Sequence, residues 1–299
     1  MKILITGGTG MIGLKLSRLL RNKGHQVFHL SRSKREDDEF PAFIWDLSNG
    51  YLEEGALDGM EAIIHLAGAN VGEGRWTTSR KKVIMDSRTS SGELLLSHLA
   101  KQSIKPKLFI SASAVGFYGA FTGDTLLTES APVGSDFLAE VCKQWESKIA
   151  PIEKMGIRLV TLRIGVVLSR EGGALPKILE PPVAAPIGSG EQYMSTIHID
   201  DLVNMFLFAI ENDSVNGTYN AVGPEPISNR DFTQLAAKAA DKVYVPIAVP
   251  GFLLKIALGE MSQIVLGGNR VSGDKLLKAG FQFQFASVKE ALDDLFRTK

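Results

Sequence analysis

The sequence is poor in several things, and each shortage is informative. Its 299 residues include one cysteine, Cys142, so no internal disulfide can form and a reducing, cytoplasmic setting is expected. No apolar run reaches the ~18 residues of a membrane span. Net charge is absent: 33 basic residues balance 33 acidic ones, which leaves no field-driven affinity for nucleic acid or a membrane surface. There is no H-E-x-x-H pair and no cysteine cluster, so no metal site is expected, and no G-x-S-x-G elbow occurs. Tyrosine is scarce, five in all, with none between positions 119 and 192. The first apolar stretch is short, broken by glycine and without a small-residue cleavage site. It is therefore expected to be a strand of the fold and not a secretion signal.

What is present begins at residue 3. ILITGGTGMIG (3–13) runs from three buried-type residues into glycines at 7, 10 and 13, followed by leucines 14, 16, 19 and 20 at helical spacing. A strand, a tight glycine turn and a helix N-terminus gather free backbone N–H groups and the positive end of a helix dipole at one point. A dinucleotide pyrophosphate fits there, because glycine lets the backbone approach it closely. Gly7, Thr9, Gly10, Met11, Ile12 and Gly13 are the expected contacts. Leu14 stands where a P-loop requires lysine, which excludes that alternative.

Strand patterns at 2–6, 26–30, 42–45, 61–66, 106–111 and 157–163 alternate with helices at 11–23, 79–102 and 136–155. This predicts an α/β fold, a Rossmann-type doubly wound parallel sheet. The expected dinucleotide domain is 1–165, with part of 190–225 returning to the sheet. Residues 166–299 are expected to form a smaller, mostly helical substrate lobe. Its expected elements are helices at 200–211, 229–240, 251–258, 271–279 and 287–296 and a strand at 218–221. EPPVAAPIGSG (180–190) reads as an irregular loop, either a connection or a lid. Residues 33–39 form a charged loop.

The second strand ends HLSRSKR, with no carboxylate at its tip to hold a ribose 2′-OH. Arg32, with Ser31 or Ser33 as an additional donor, suits a 2′-phosphate instead, so NADP(H) is expected over NAD(H). Asp46, ending the third strand, is either an acceptor for the adenine amino group or a turn residue. Leu66, Ala67, Gly68 and Ser111 close the fourth and fifth strands, where small residues line the crevice of an open sheet. His65 fits a satisfied core histidine.

TGGTGMIG, HLAG, ISASAVGFYG and IHIDDL together resemble the extended short-chain dehydrogenase/reductase superfamily, with its nucleotide-sugar epimerases. More closely, GRWT (74–77), DSR (86–88), SASAVGFYG (111–119), KQWE (143–146), LRIGVVL (162–168) and LGGNRV (266–271) resemble the sugar-nucleotide-epimerase-like family that includes the short-chain-dehydrogenase family 39U proteins. The resemblance covers essentially the whole chain. It implies a C-terminal module of unknown function at 249–296 and pairing of two copies through helices 79–102 and 136–155.

The superfamily active site combines a serine with Tyr-x-x-x-Lys, the lysine lowering the tyrosine pKa and holding the ribose. If Glu146 is the glutamate that follows the lysine by four residues, Leu138 and Cys142 occupy the tyrosine and lysine slots. Ser113 matches the catalytic serine. Tyr118, five residues on, is either its polar companion near the nicotinamide or an aromatic packing the loop. Glu129 is a candidate base or N-cap partner, and Lys143 falls one position past the lysine slot. Arg75, Trp76, Arg88 and Gln192 are the candidate substrate contacts. These residues predict an NADP(H)-dependent oxidoreductase or epimerase-like protein acting on a small carbonyl or sugar-nucleotide-type molecule. The alternative is a dinucleotide-binding sensor or scaffold that has lost catalysis.

Overall fold

A computed structural model describes residues 1–34 and 37–297; Arg35 and Glu36 of the charged loop, and the last two residues, lie outside it. Strand β1 (Lys2–Thr6) is flanked by β2 (Gln26–Ser31) and β5 (Ala62–His65). The sheet extends through β3 (Ala42–Asp46) and β4 (Tyr51–Leu52) on one side. On the other side come β6 (Leu108–Ala114), β8 (Arg158–Ile164) and β12 (Gly217–Ala221). The order is β12-β8-β6-β5-β1-β2-β3-β4, parallel throughout except for the β3–β4 hairpin. The chain leaves β1 in one direction and returns through β5 in the other. The topological switch, where such sheets bind ligands, therefore lies at the carboxyl ends of β1 and β5.

Alternation along the strands divides the core between the two faces. Ile3 and Ile5 pack with α1 (Met11–Asn22) and α5 (Ile199–Glu211), in a cluster that includes Leu16, Leu20 and Phe206. Leu4 and Ile63 pack on the opposite face with α2 (Thr78–Leu99) and α3 (Phe137–Ile149), through Leu95, Leu99 and Ile149. Among the described residues no helix is long and apolar enough to cross a membrane.

The remaining strands form three pairs. β9 (Val166–Leu168) runs parallel to β11 (Thr196–His198), and β10 (Tyr193–Met194) antiparallel to β13 (Ile227–Ser228). β7 (Phe121–Leu127) runs parallel to β14 (Gly268–Val271). Helices α4 (Ala174–Leu179), α6 (Asn229–Ala239), α7 (Gly251–Leu258), α8 (Gln263–Leu266), α9 (Asp274–Lys278) and α10 (Val288–Phe296) complete the chain. Two expected helices change. The one expected over 136–155 ends as α-helix at Ile149, and a 3₁₀ segment containing Pro151, which has no N–H to donate, carries the chain to Met155. The one expected over 271–279 starts only at Asp274, because Asn269 and Val271 bury alternate side chains in a strand.

One buried carboxylate fastens the C-terminal segment. Asp201, wholly buried in α5, accepts from the backbone N–H groups of Gln284 (2.7 Å) and Phe285 (3.2 Å). Asp201→Ala is expected to lower the unfolding free energy by about 2 kcal/mol, since two part-buried donors lose a buried acceptor. Urea denaturation checks this, and a loss below about 1 kcal/mol contradicts it.

Candidate functional site

The glycine turn closes as its spacing suggests. Gly7 sits at φ +69°, a conformation other residues rarely adopt. A Cβ on Gly13 would lie 2.3 Å from the Gly7 carbonyl oxygen, so helix and turn touch backbone to backbone. The α1 N-cap, Gly10, offers no side-chain acceptor, and the first turn carries no acidic residue. No side chain caps the N–H groups at this end, which fits an anion. A cavity of about 260 Å³ opens here beside Thr9, Gly10 and Met11, with Lys15 and Arg18 on its wall. Ile12 is half-buried behind it.

The switch point is tied by Thr6. Its hydroxyl oxygen accepts from Leu66 and Ala67 N–H (both 3.1 Å) and pairs with His65 Nδ1 at 2.8 Å. His65 Nε2 lies 3.2 Å from the Ser91 hydroxyl. Burial, with the Arg88 charge second, holds the His65 imidazole down to about 3. His65 is thus a neutral core residue. Ser111 is also wholly buried and donates to the Ala112 carbonyl.

At the tip of β2, Arg32 is exposed and has no ion-pair or hydrogen-bond partner among the described residues, while Lys34 pairs with Glu53 at 2.6 Å. Asp46 is committed locally. Its carboxylate accepts from the Ser48 hydroxyl and backbone and from both Asn49 donors, and these bonds hold its pKa below the ordinary value. This is the turn role.

The polar centre is a chain of contacts at the carboxyl edge of β6 and β8. The Ser113 hydroxyl donates to Glu146 Oε1 at 2.7 Å. Arg163 grips the same carboxylate through two bonds of 2.9 Å and donates to the Tyr118 hydroxyl at 3.1 Å. Tyr118, 3% exposed, donates in turn to Asn220 Oδ1 at 2.6 Å, and burial pushes its phenol above the ordinary value. Both the proton and a lone pair of Tyr118 are therefore spent inside the protein, in the loop-packing role. Glu129 accepts from the Asn220 backbone N–H at 2.8 Å, which is neither a base nor a cap. Leu138 and Cys142 pack against the loop carrying Tyr118: a Cβ on Gly116 would lie 3.5 Å from Leu138 Cβ and 3.8 Å from Cys142 Sγ. Burial pushes the Cys142 thiol up to about 12, so it stays protonated. Lys143 is exposed and pairs with Glu140.

All four candidate substrate residues have structural partners. Arg75 donates to the Ile256 and Ala257 carbonyls at the end of α7. Trp76 is buried, donates to the Val71 carbonyl and meets Phe137 edge-on. Gln192 donates to the Ile187 and Val265 carbonyls. Arg88, under Gly68, donates to the Ile84 carbonyl and lies over the Trp145 ring. The role of Arg163 and the partnership with Asn220 escaped sequence reading. The LRI triplet offers a signal for Arg163, a charged residue inside an apolar strand, but Asn220 offers none.

Residues 3–222 match the NAD dependent epimerase/dehydratase family, and 249–295 match a domain of unknown function, DUF1731. The chain belongs to the NAD dependent epimerase/dehydratase family. Epimerase family protein YfhF of Bacillus subtilis is 37% identical, with 99% of this chain and 98% of YfhF covered. The chloroplastic SDR39U1 homolog of Arabidopsis thaliana is 35% identical over 98% of this chain and 86% of its own length. The crystal structure of human epimerase family protein SDR39U1 (isoform 2) with NADPH superposes at a TM-score of 0.88. It is 29% identical, and 99% of each chain is covered. These relatives place the chain in the SDR39U1-type branch of its family.

The site is built around the Arg163–Glu146 ion pair. Arg163 is 6% exposed and Glu146 18%. Glu146→Gln is expected to cost about 3–5 kcal/mol of stability, because it leaves a buried guanidinium without its counter-ion. Chemical denaturation reads this directly, and a cost below about 1 kcal/mol contradicts it. A second expectation follows from His65. The unfolded chain protonates this imidazole near 6.5, whereas the folded chain resists down to about 3. Its contribution is present above pH 6.5 and is lost as pH falls from 6.5 toward 3, at about 1.4 kcal/mol per pH unit. Unfolding free energies at pH 6.5, 5.5 and 4.5 should show this slope, flattened in His65→Gln. An equal slope in both proteins contradicts the assignment.

Proposed function

We propose that this chain binds NADP(H) and acts as an oxidoreductase or epimerase-like enzyme on a small molecule of the carbonyl or sugar-nucleotide type. The observation that carries the reading is the Gly7–Gly13 cradle, closed so tightly that a Cβ has no room, at an N-terminus of α1 that no side chain caps. The human relative that superposes over nearly its whole length was crystallised with NADPH. Gly7, Thr9, Gly10, Met11, Ile12 and Gly13 would hold the diphosphate, and Leu66, Ala67 and Gly68 would line the crevice. Arg32, without a partner among the described residues at the tip of β2, would take a 2′-phosphate through its fork.

When bound, a nicotinamide supplies a hydride acceptor or donor. The chain supplies orientation. Glu146 takes the Ser113 proton as a hydrogen bond and fixes that rotamer, so the Ser113 lone pairs are left for a substrate hydroxyl. Arg163 holds Glu146 from the far side, and Tyr118 braces Arg163. Ser113 is the side chain proposed to meet the reacting oxygen; Tyr118 acts through the buried chain.

A second reading has its own observation. Leu138 and Cys142 fill the slots of the superfamily's acid and its lysine, and the one nearby phenol is committed to Asn220. This favours a dinucleotide-binding sensor. Turnover of NADPH against a panel of carbonyl compounds and sugar nucleotides separates the readings. Activity abolished in Ser113→Ala supports the enzyme, and binding without turnover supports the sensor.

The cofactor preference is tested alone. Arg32→Ala is expected to reduce the NADPH-over-NADH preference about tenfold or more, the worth of one charge-assisted contact. Calorimetric titration with both dinucleotides measures it, and an unchanged ratio counts against Arg32.

A further inference from the structure

Three arginines stand between β9 and α10, and the fold gives polar partners to two of them. Arg170 donates to the Leu295 carbonyl at 3.4 Å. Arg230 donates to the Ser189 carbonyl at 3.0 Å and pairs with Glu191. Arg270, half-buried in β14, has neither kind of contact among the described residues. Its Nε is buried without a hydrogen-bond partner, and its Cζ lies 5.3 Å from the Tyr193 ring centroid. A buried N–H without an acceptor costs more than stacking on an aromatic face contributes, so packing alone does not account for this side chain.

The backbone that carries it is held from several directions. One hydroxyl brackets the residue: Ser195 donates to the Asn269 carbonyl and accepts from Val271 N–H, both at 2.9 Å. A Cβ on Gly268 would lie 2.2 Å from the Tyr193 carbonyl oxygen. Only glycine there lets β14 come this close to the residue whose ring lies over the guanidinium. Asn269 points to the other side of the strand and donates to the Val115 carbonyl at 2.9 Å. Val115 follows Ser113 by two residues, so Arg270 is seated against the loop that leaves the Ser113 strand. Rigid support beneath a cation that has no acceptor of its own is the arrangement of a ligand contact. Arg163, beside the same loop, is the contrast, because the fold supplies its carboxylate.

We propose that Arg270 binds an anionic group of the substrate, a phosphate ester or a carboxylate, and so directs the reacting oxygen of that molecule toward Ser113. Either group presents paired oxygens that match the donors of a guanidinium. The Tyr193 ring covers one face of the group, which leaves its edges, where the N–H donors are, for the ligand. An oxyanion there supplies the acceptors that β14 and its neighbours lack. The substrate class narrows accordingly, to molecules that carry a negative charge away from the reacting carbon. This inference rests on the reading of the chain as an NADP(H)-dependent enzyme, and it assigns Arg270 to the substrate and not to the dinucleotide.

The test separates the anion from the cofactor. The full chain is first titrated calorimetrically with NADPH, and the NADPH-saturated chain is then titrated with inorganic phosphate and with malonate. Wild type is expected to bind at least one of the two anions. In Arg270→Gln that Kd is expected to rise about tenfold or more, while the NADPH Kd stays within about twofold of wild type. A loss confined to phosphate assigns a phosphate ester, a loss confined to malonate assigns a carboxylate, and equal loss of both assigns a site for either group. Binding of neither anion overturns the proposal, as does an anion Kd unchanged in the variant. Parallel weakening of NADPH marks a structural role and overturns it too. A wild-type chain that does not bind NADPH overturns the cofactor reading instead, and this proposal with it. If Arg270→Gln does not fold, Arg270→Lys carries the same comparison. It keeps the charge and loses the planar fork, so a rise of about threefold or more in the anion Kd alone is expected, and unchanged or parallel values overturn the proposal.

Discussion

The site depends on one ion pair. Arg163 emerges from β8 at the interior edge of a parallel sheet, where water is scarce and a guanidinium must find its partners in the protein. Glu146 answers from α3 with both oxygens, and the Phe117 ring covers the group at 3.4 Å from its centroid. Two parallel N–H···O bonds tolerate little rotation, so the pair sets the azimuth of α3 over the sheet. Three consequences follow from that setting. Ser113 finds an acceptor in the same carboxylate. Tyr118 is drawn inward to the guanidinium. Asn220, next to the Tyr118 hydroxyl, carries the chain of contacts into β12 and on to the Ser272 carbonyl at 3.1 Å.

The C-terminal module is therefore an integral part of the site. Asn269 donates to the Val115 and Gly119 carbonyls that bracket the Tyr118 turn, and β14 pairs with β7, the strand that follows it. Ser195 closes the same region by donating to the Asn269 carbonyl and accepting from Val271 N–H. The loop after β6 is thus shaped from below by Arg163 and from the side by residues 150 positions away. A loop held in this way on a rigid strand end is the usual means of fixing a reacting group within a fraction of an ångström.

What could be read from the sequence was what neighbours along the chain determine. The glycine turn, α1 and most strands of the main sheet have local periodicity or local steric demands and stand within a residue or two of their expected bounds; β6 runs three residues further, to Ala114, and the two-residue β4 carries no local signal. Strands β7 and β14 were not visible, because Phe121–Leu127 is largely exposed and half-polar, and it becomes a strand only through its distant partner. Tyr118 shows the same limit at the site. Its identity and its position in the loop are local, but the Asn220 that takes its proton lies 102 residues away. Arg75 and Gln192 had the chemistry of ligand contacts, yet backbone carbonyls of the C-terminal module take their donors. Carbonyl acceptors belong to every residue alike, so no residue type in the sequence announces them.

The same reasoning separates the two internal arginines. Composition cannot distinguish a guanidinium that the scaffold balances from one that it does not; only the inventory of acceptors can. Arg163 has its carboxylate, its phenol and its aromatic cover, so its free energy is settled before any ligand arrives. Arg88 has one carbonyl and one aromatic face. Removing the partner of the first leaves a charge stranded in the core and should be felt as lost stability. Removing the second deletes a cation that no carboxylate among the described residues balances, so the fold should lose less by it.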